Sequence, residues 1–188
     1  MRRLKFKNRA YGQRGATAVE FAIVAPLFFG LVFSIVEAGW FFFATSAVEQ
    51  ANAKAARLIR TGQAQNAKDV DGNQVYNSQR FYDEICKVVK AFGDCDDTLT
   101  IDVARYTTFQ QLADDTNAPV CRDADDPSIQ GTQFNEADYG AQSEIIRVRV
   151  CFLYKPINPA LGLRLSTDDN GRKQMISLAI FRNEPFED

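Results

Sequence analysis

The 188-residue chain contains no histidine. That absence excludes Ser-His-Asp and Cys-His catalytic machinery, HExxH metal sites and imidazole proton shuttles. Tryptophan is almost missing too, with a single residue, Trp40. Acids are missing from the first stretch. Residues 1–15 hold Arg2, Arg3, Lys5, Lys7, Arg9 and Arg14 and neither Asp nor Glu. The whole chain carries 22 basic and 24 acidic side chains, so without that stretch 16 basic residues face 24 acids, a balance of −8. An acidic remainder argues against nucleic acid as the main partner.

Charge of either sign is scarce between Ala16 and Val48, where Glu20 and Glu37 are the two charged residues. A bilayer core needs about 20 largely apolar helical residues. The run from Phe21 through Val36 and on to Trp40, Phe41, Phe42 and Phe43 meets that need, and nothing later in the chain does. Basic flanks stay cytoplasmic, so the N-terminus is expected inside and residues after about 45 outside. The aromatic run at 40–43 suits the outer interface. A secretory signal peptide cut near Ser46 or Ala47 fits poorly, because such apolar regions are about 7–15 residues long and free of acids.

The boundary reads Arg14-Gly15-Ala16-Thr17-Ala18-Val19-Glu20-Phe21. A glycine precedes the apolar run and a glutamate stands five positions after it. This resembles the type III signal of prepilins, in which a prepilin peptidase cuts after the glycine on the cytoplasmic side. The resemblance implies processing between Gly15 and Ala16. A carboxylate within a membrane helix costs about 2.5–3.5 kcal/mol on insertion scales and is usually functional or paired. A cut would leave an amine on Ala16, one helical turn from Glu20, or near the Glu20 of a neighbouring subunit. The alternative is an interfacial Glu20 snorkelling to water. Glu37 lies 21 residues past Ala16, about 32 Å along a helix. It reads either as an interfacial carboxylate or as a second helix–helix contact. Pro26 lacks an N–H and is expected to kink or loosen the apolar half.

Three stretches extend the likeness: Gly15 through Pro26, Ile35-Val-Glu37-Ala-Gly39-Trp40, and Ala51-Asn-Ala-Lys-Ala-Ala-Arg57. Together with the ending Arg182-Asn183-Glu184-Pro185, they resemble the TadE-like family of pilin-like proteins from tight-adherence (Tad/Flp) pilus systems. The resemblance leads one to expect a basic residue after Gly39, where this chain has Trp40. It implies a minor pilin-like subunit without enzymatic activity or cofactor, held in the inner membrane and working in pilus biogenesis and adherence. Its implied partners are prepilin peptidase, other pilin-like subunits, inner-membrane assembly proteins and lipid.

The rest of the chain reads as an α+β domain. Residues 1–15 form a basic cytoplasmic leader, 16–60 one long helix spanning the membrane within 16–45, and 61–188 an extracytoplasmic domain with a small antiparallel sheet. Val48, Ala51, Ala55 and Leu58 form an apolar stripe that predicts packing on that domain, and Gly62 a helix stop. The domain begins with polar residues 63–78 and the turn Asp71-Gly72-Asn73. Phe81, Ile85, Val88, Val89 and Phe92 predict an amphipathic helix over 79–92. Alternation predicts strands at Leu99–Val103, Ile146–Tyr154 and 174–182. Residues 114–143 read as a long irregular segment. Pro156 and Pro159 end the second strand, and Asp168-Asp169-Asn170-Gly171 is a turn.

Cys86, Cys95, Cys121 and Cys151 all follow the membrane segment, and an even count in an oxidising compartment predicts disulfides. Three connectivities are open, and short loops favour Cys86–Cys95 and Cys121–Cys151. Gaps of 8, 25 and 29 residues do not fit a zinc site. Asp114, Asp115, Asp123, Asp125 and Asp126 miss the calcium-loop register. No metal is expected. Two functions remain: a pilin-like subunit, or a signal-anchored sensor with an extracytoplasmic ligand pocket.

Overall fold

The computed structural model describes residues 14–72, 74–122, 129–157 and 171–186. The leader before Arg14, Asn73, the acids Asp123, Asp125 and Asp126, Pro159 and the turn residues Asp168, Asp169 and Asn170 lie outside them. Helix α1 runs from Arg14 to Arg60. It is followed by α2 (Gln63–Asn66), α3 (Ser78–Val89), α4 (Cys95–Thr98), β1 (Leu99–Tyr106), α5 (Phe109–Asp114), a 3-10 turn (Glu136–Tyr139), β2 (Ile145–Tyr154) and β3 (Lys173–Arg182). The layout is α+β, a long N-terminal helix followed by a small sheet.

At 47 residues, α1 is about 70 Å long, more than twice a bilayer core. It continues through Pro26 without interruption of its helical assignment. It stops where the sequence supplies glycine. The Thr61 and Gly62 amides bond back to the Arg57 and Ile59 carbonyls, and Gly62 has φ +75°. A side chain there would also come within 2.5 Å of the Phe186 ring, so this helix end accepts only glycine.

The sheet has the order β1-β2-β3, antiparallel throughout, with Val103 opposite Val148 and Val148 opposite Ala179. Period-two alternation puts Leu99, Ile101, Val103, Ile146, Val148, Val150 and Phe152 on one fully covered face. Against it lie Ala44, Val48, Ala51, Ala55 and Ile59 of α1, and Phe81, Ile85 and Val89 of α3. The alanines let helix and sheet approach closely. The expected stripe ends on Ile59 rather than Leu58, which is half-buried, because a 3.6-residue period drifts over four turns. Asn52 in the same layer donates to the Ser177 hydroxyl at 2.9 Å, a polar pin between α1 and β3. Helix α3 starts on Asn77, whose side chain accepts from the Arg80 amide. It ends at Val89, leaving Phe92 in the turn beyond rather than on the predicted helix.

The opposite face of β1 and β2 carries a covered network of charges. Arg147 is 6% exposed. Its guanidinium meets Asp115 at 2.7 Å and Asp102 at 3.4 Å, and lies over the Tyr106 ring. Arg149 meets Asp102 at 2.6 Å. The segment after α5 covers this network, and Cys121 is bonded to Cys151 of β2 beside it. Hydrogen bonds from the Tyr106 hydroxyl first, then from the Asn117 amide and from Arg147, hold the Asp115 carboxyl well below the usual carboxylate range. A depressed folded-state pKa contributes stability that is present above the unfolded value, near 3.8, and lost as pH falls further. Asp115→Asn should therefore melt below wild type at neutral pH, with the gap narrowing as the solution is acidified through that value. Thermal melts across the acid range in one detergent check this; a gap that stays constant contradicts it.

Candidate functional site

The two halves of α1 have opposite surroundings. From Gly15 through Val36 no side chain is buried within the chain. Phe21 is 66% exposed, Leu27 76% and Leu31 61%. From Glu37 onward one flank is covered by the outer domain. The bare half has a mean hydropathy of 2.3 over its most apolar window and is long and apolar enough to cross a membrane. An apolar surface of this extent needs lipid or other helices around it.

Gly15 and Ala16 lie at the N-terminal end of the described part of α1. Both are exposed. A Cβ on Gly15 would meet nothing within 4 Å, and its φ is not positive. The fold therefore gives no reason for glycine here. Glu20 is exposed on the bare half. Among the described residues nothing bonds to its carboxylate, which stands on an apolar stretch of helix. Pro26 is also exposed, one turn and a half further along.

Glu37 is 4% exposed. Its carboxylate accepts the Tyr154 hydroxyl at 2.9 Å and the Ile157 amide at 3.1 and 3.2 Å. Burial first, and the Glu37 hydrogen bond second, push the Tyr154 phenol above its ordinary range, so it stays protonated and donating. Neither reading of Glu37 from sequence included this internal partner: the residue fastens the end of β2 to the helix. No local pattern pairs residues 117 positions apart. Phe41 packs edge-on against Tyr154 and extends the same joint. On the other flank Phe92 meets Trp40 at 5.3 Å and Phe43 at 5.5 Å between ring centroids.

The cysteines are brought together as Cys86–Cys95 and Cys121–Cys151, with Cα separations of 5.8 and 5.3 Å. The first closes the turn after α3, and the second holds the long segment onto β2. Asp115 is engaged with Arg147 and Tyr106 rather than left as an open calcium donor. Among the described residues no group of three or more acids or cysteines is arranged to hold a metal.

No curated protein and no solved structure matches the chain. A family model described as TadE-like protein matches residues 15–57. Those residues include Gly15, the bare apolar half, Glu20, Glu37 and the first turns of the domain-facing stripe. Over residues 15–57 the chain is therefore similar to TadE-like proteins, in the segment that is long and apolar enough to cross a membrane.

Proposed function

We propose that the protein is a minor pilin-like subunit of a Tad/Flp-type pilus assembly system. Prepilin peptidase removes the basic leader between Gly15 and Ala16. The helix then holds the subunit in the inner membrane, N-terminus cytoplasmic and outer domain periplasmic, until it takes part in assembly. Its work is protein–protein contact and needs no cofactor.

The observation that carries this reading is the contrast between Glu20 and Glu37 of α1. Glu37 is buried and bonded within the chain, whereas Glu20 is exposed with no bonded partner among the described residues. A carboxylate in that position calls for a partner from outside the folded chain. The amine freed on Ala16 is one helical turn away on the same helix, and the amine of an adjacent subunit is the intermolecular equivalent. Pairing by charge would set the register of packed helices, as a single polar residue does in a coiled coil. Phe21 beside it supplies apolar contact, and Pro26 a place where the helix lacks one backbone bond.

A photo-crosslinking residue in place of Phe21, in cells carrying the pilus system, tests the reading. Adducts with pilin-like or assembly-platform proteins are expected. Glu20→Ala should reduce them at least tenfold while leaving the processed chain at wild-type abundance. Crosslinking to lipid alone, or adducts indifferent to Glu20, would contradict the proposal. The sensor reading would need a pocket of convergent polar groups. The open cleft of about 290 Å³ beside Tyr82, Asp96 and Arg122 is a weak candidate, since the Tyr82 hydroxyl is already donated to the Cys95 carbonyl at 2.7 Å.

A further inference from the structure

Two segments of the outer domain reach the same level of α1 from different flanks. Phe92, in the turn after α3, packs its ring on Trp40 and Phe43. The segment after β2 brings the Ile157 amide onto Glu37. If the hydrocarbon core begins near Ala16, a span of about 30 Å ends near Val36. The domain's lowest points therefore lie at the depth of the outer headgroups.

The composition of this underside suits that depth. At the junction Ile157 is 67% exposed, and Phe42 and Phe43 of α1 70% and 60%; Val70, Phe109 and the outward residues of β3 are exposed elsewhere on the domain. Lys90 stands two residues before Phe92 and Lys155 two before Ile157, both exposed. Among the described residues neither lysine is in an ion pair. Asp83, Asp94 and Asp96 line a cleft together with Lys90, so that flank carries charge of both signs. Glu84 pairs with Lys87 at 2.6 Å, and the Asp94 side chain accepts the Asp96 amide. Apolar tips flanked by lysines form a surface that enters the acyl boundary while its charges meet phosphate. In a chain acidic by 8 charges beyond residue 15, Lys90 and Lys155 are groups at this level that an anionic leaflet attracts.

We propose that the underside of the outer domain, Phe92 with Lys90 on one flank of α1 and Ile157 with Lys155 on the other, docks directly on the outer phospholipid surface. The surface is continuous with the membrane-crossing helix. Docking there would fix the height and tilt of the domain while the subunit waits in the membrane. The inference rests on the anchoring part of the proposed function and not on processing or pilus assembly.

The test uses the full chain inserted in vesicles of phosphatidylcholine and phosphatidylglycerol. Trp40, the one tryptophan, reports insertion through quenching by lipids brominated near the headgroup. An environment-sensitive probe on Ile157→Cys, attached without reductant, reports docking. A matching probe goes on Gln142→Cys, an exposed position in the loop before β2. That loop is tied through Asn183 and Glu184 to the level of Arg60, about 34 Å further out along α1. Quenching by headgroup nitroxide lipid at least threefold stronger at 157 than at 142 is expected. Lys90→Glu with Lys155→Glu should weaken it at least twofold, with Trp40 quenching unchanged. Equal quenching at 157 and 142 with Trp40 still quenched would overturn docking and leave the anchor standing. An unquenched Trp40 would overturn the anchor and docking together.

Discussion

Replacing Gly15 with leucine is expected to leave the fold intact and to abolish removal of the leader. The position lies on α1, with open space where a side chain would go and no positive φ to strain it. Leucine is the better helix former by close to 1 kcal/mol, so the helix should be firmer there, not weaker. A peptidase that recognises glycine at the cut has the opposite requirement. The processed fraction should drop from nearly all of the protein to less than about a tenth, which corresponds to a barrier increase of at least ~1.4 kcal/mol. Gly15→Ala should act in the same direction. Immunoblot mobility in cells with active prepilin peptidase reads the result, and circular dichroism of the purified variant checks the fold. Full processing of the leucine variant would mean that the glycine is incidental.

The second large effect is expected at Glu37→Ala. Deleting this carboxylate strands two donors, the Tyr154 hydroxyl and the Ile157 amide, in a site where Glu37 itself is 4% exposed. An orphaned buried donor such as the Tyr154 hydroxyl costs about 1–3 kcal/mol, and the partly buried Ile157 amide adds less. Part of that is offset because a desolvated carboxylate is also removed. A net loss of about 2–3 kcal/mol would raise opening of the junction roughly 30- to 150-fold. Hydrogen exchange at the Ile157 amide reads that opening directly. Glu37→Gln, which keeps one acceptor oxygen, should show a smaller change, and Tyr154→Phe a smaller one still. The core between α1, α3 and the sheet should keep its protection, because its apolar packing does not depend on that carboxylate. Unchanged exchange at Ile157 in the alanine variant would show that the joint is held elsewhere.

The sequence was most readable where one physical demand dominates a long stretch. A helix able to cross a membrane needs only apolar length, which the run from Phe21 to Val36 and on to Phe43 supplies. The three strands follow from period-two alternation, and Gly62 from the positive φ that ends α1. Cys86–Cys95 and Cys121–Cys151 are the short-loop pairs, which chain entropy favours.

What stayed hidden depends on contacts between distant segments. Glu37 looks alike in sequence whether it faces headgroups, another helix or its own domain. Only the folded register places Tyr154 opposite it. Arg147 alternates correctly for an outward face, yet Asp102 and Asp115 on other segments neutralise it and allow it to be covered. Phe92 fits the helical period of α3, but the helix ends three residues earlier and the ring turns to Trp40 instead. In each case a pattern gave the direction of a side chain, and a partner from elsewhere in the chain decided its environment.

The claim that α1 works as a trimmed, charge-paired assembly helix is tested most directly by the intact mass of the wild-type protein isolated from membranes. A chain beginning at Ala16, with or without a methyl group on its amine, is the expected result. A chain that still begins at Met1, or one cut beyond Phe43 on the far side of the apolar run, would contradict it.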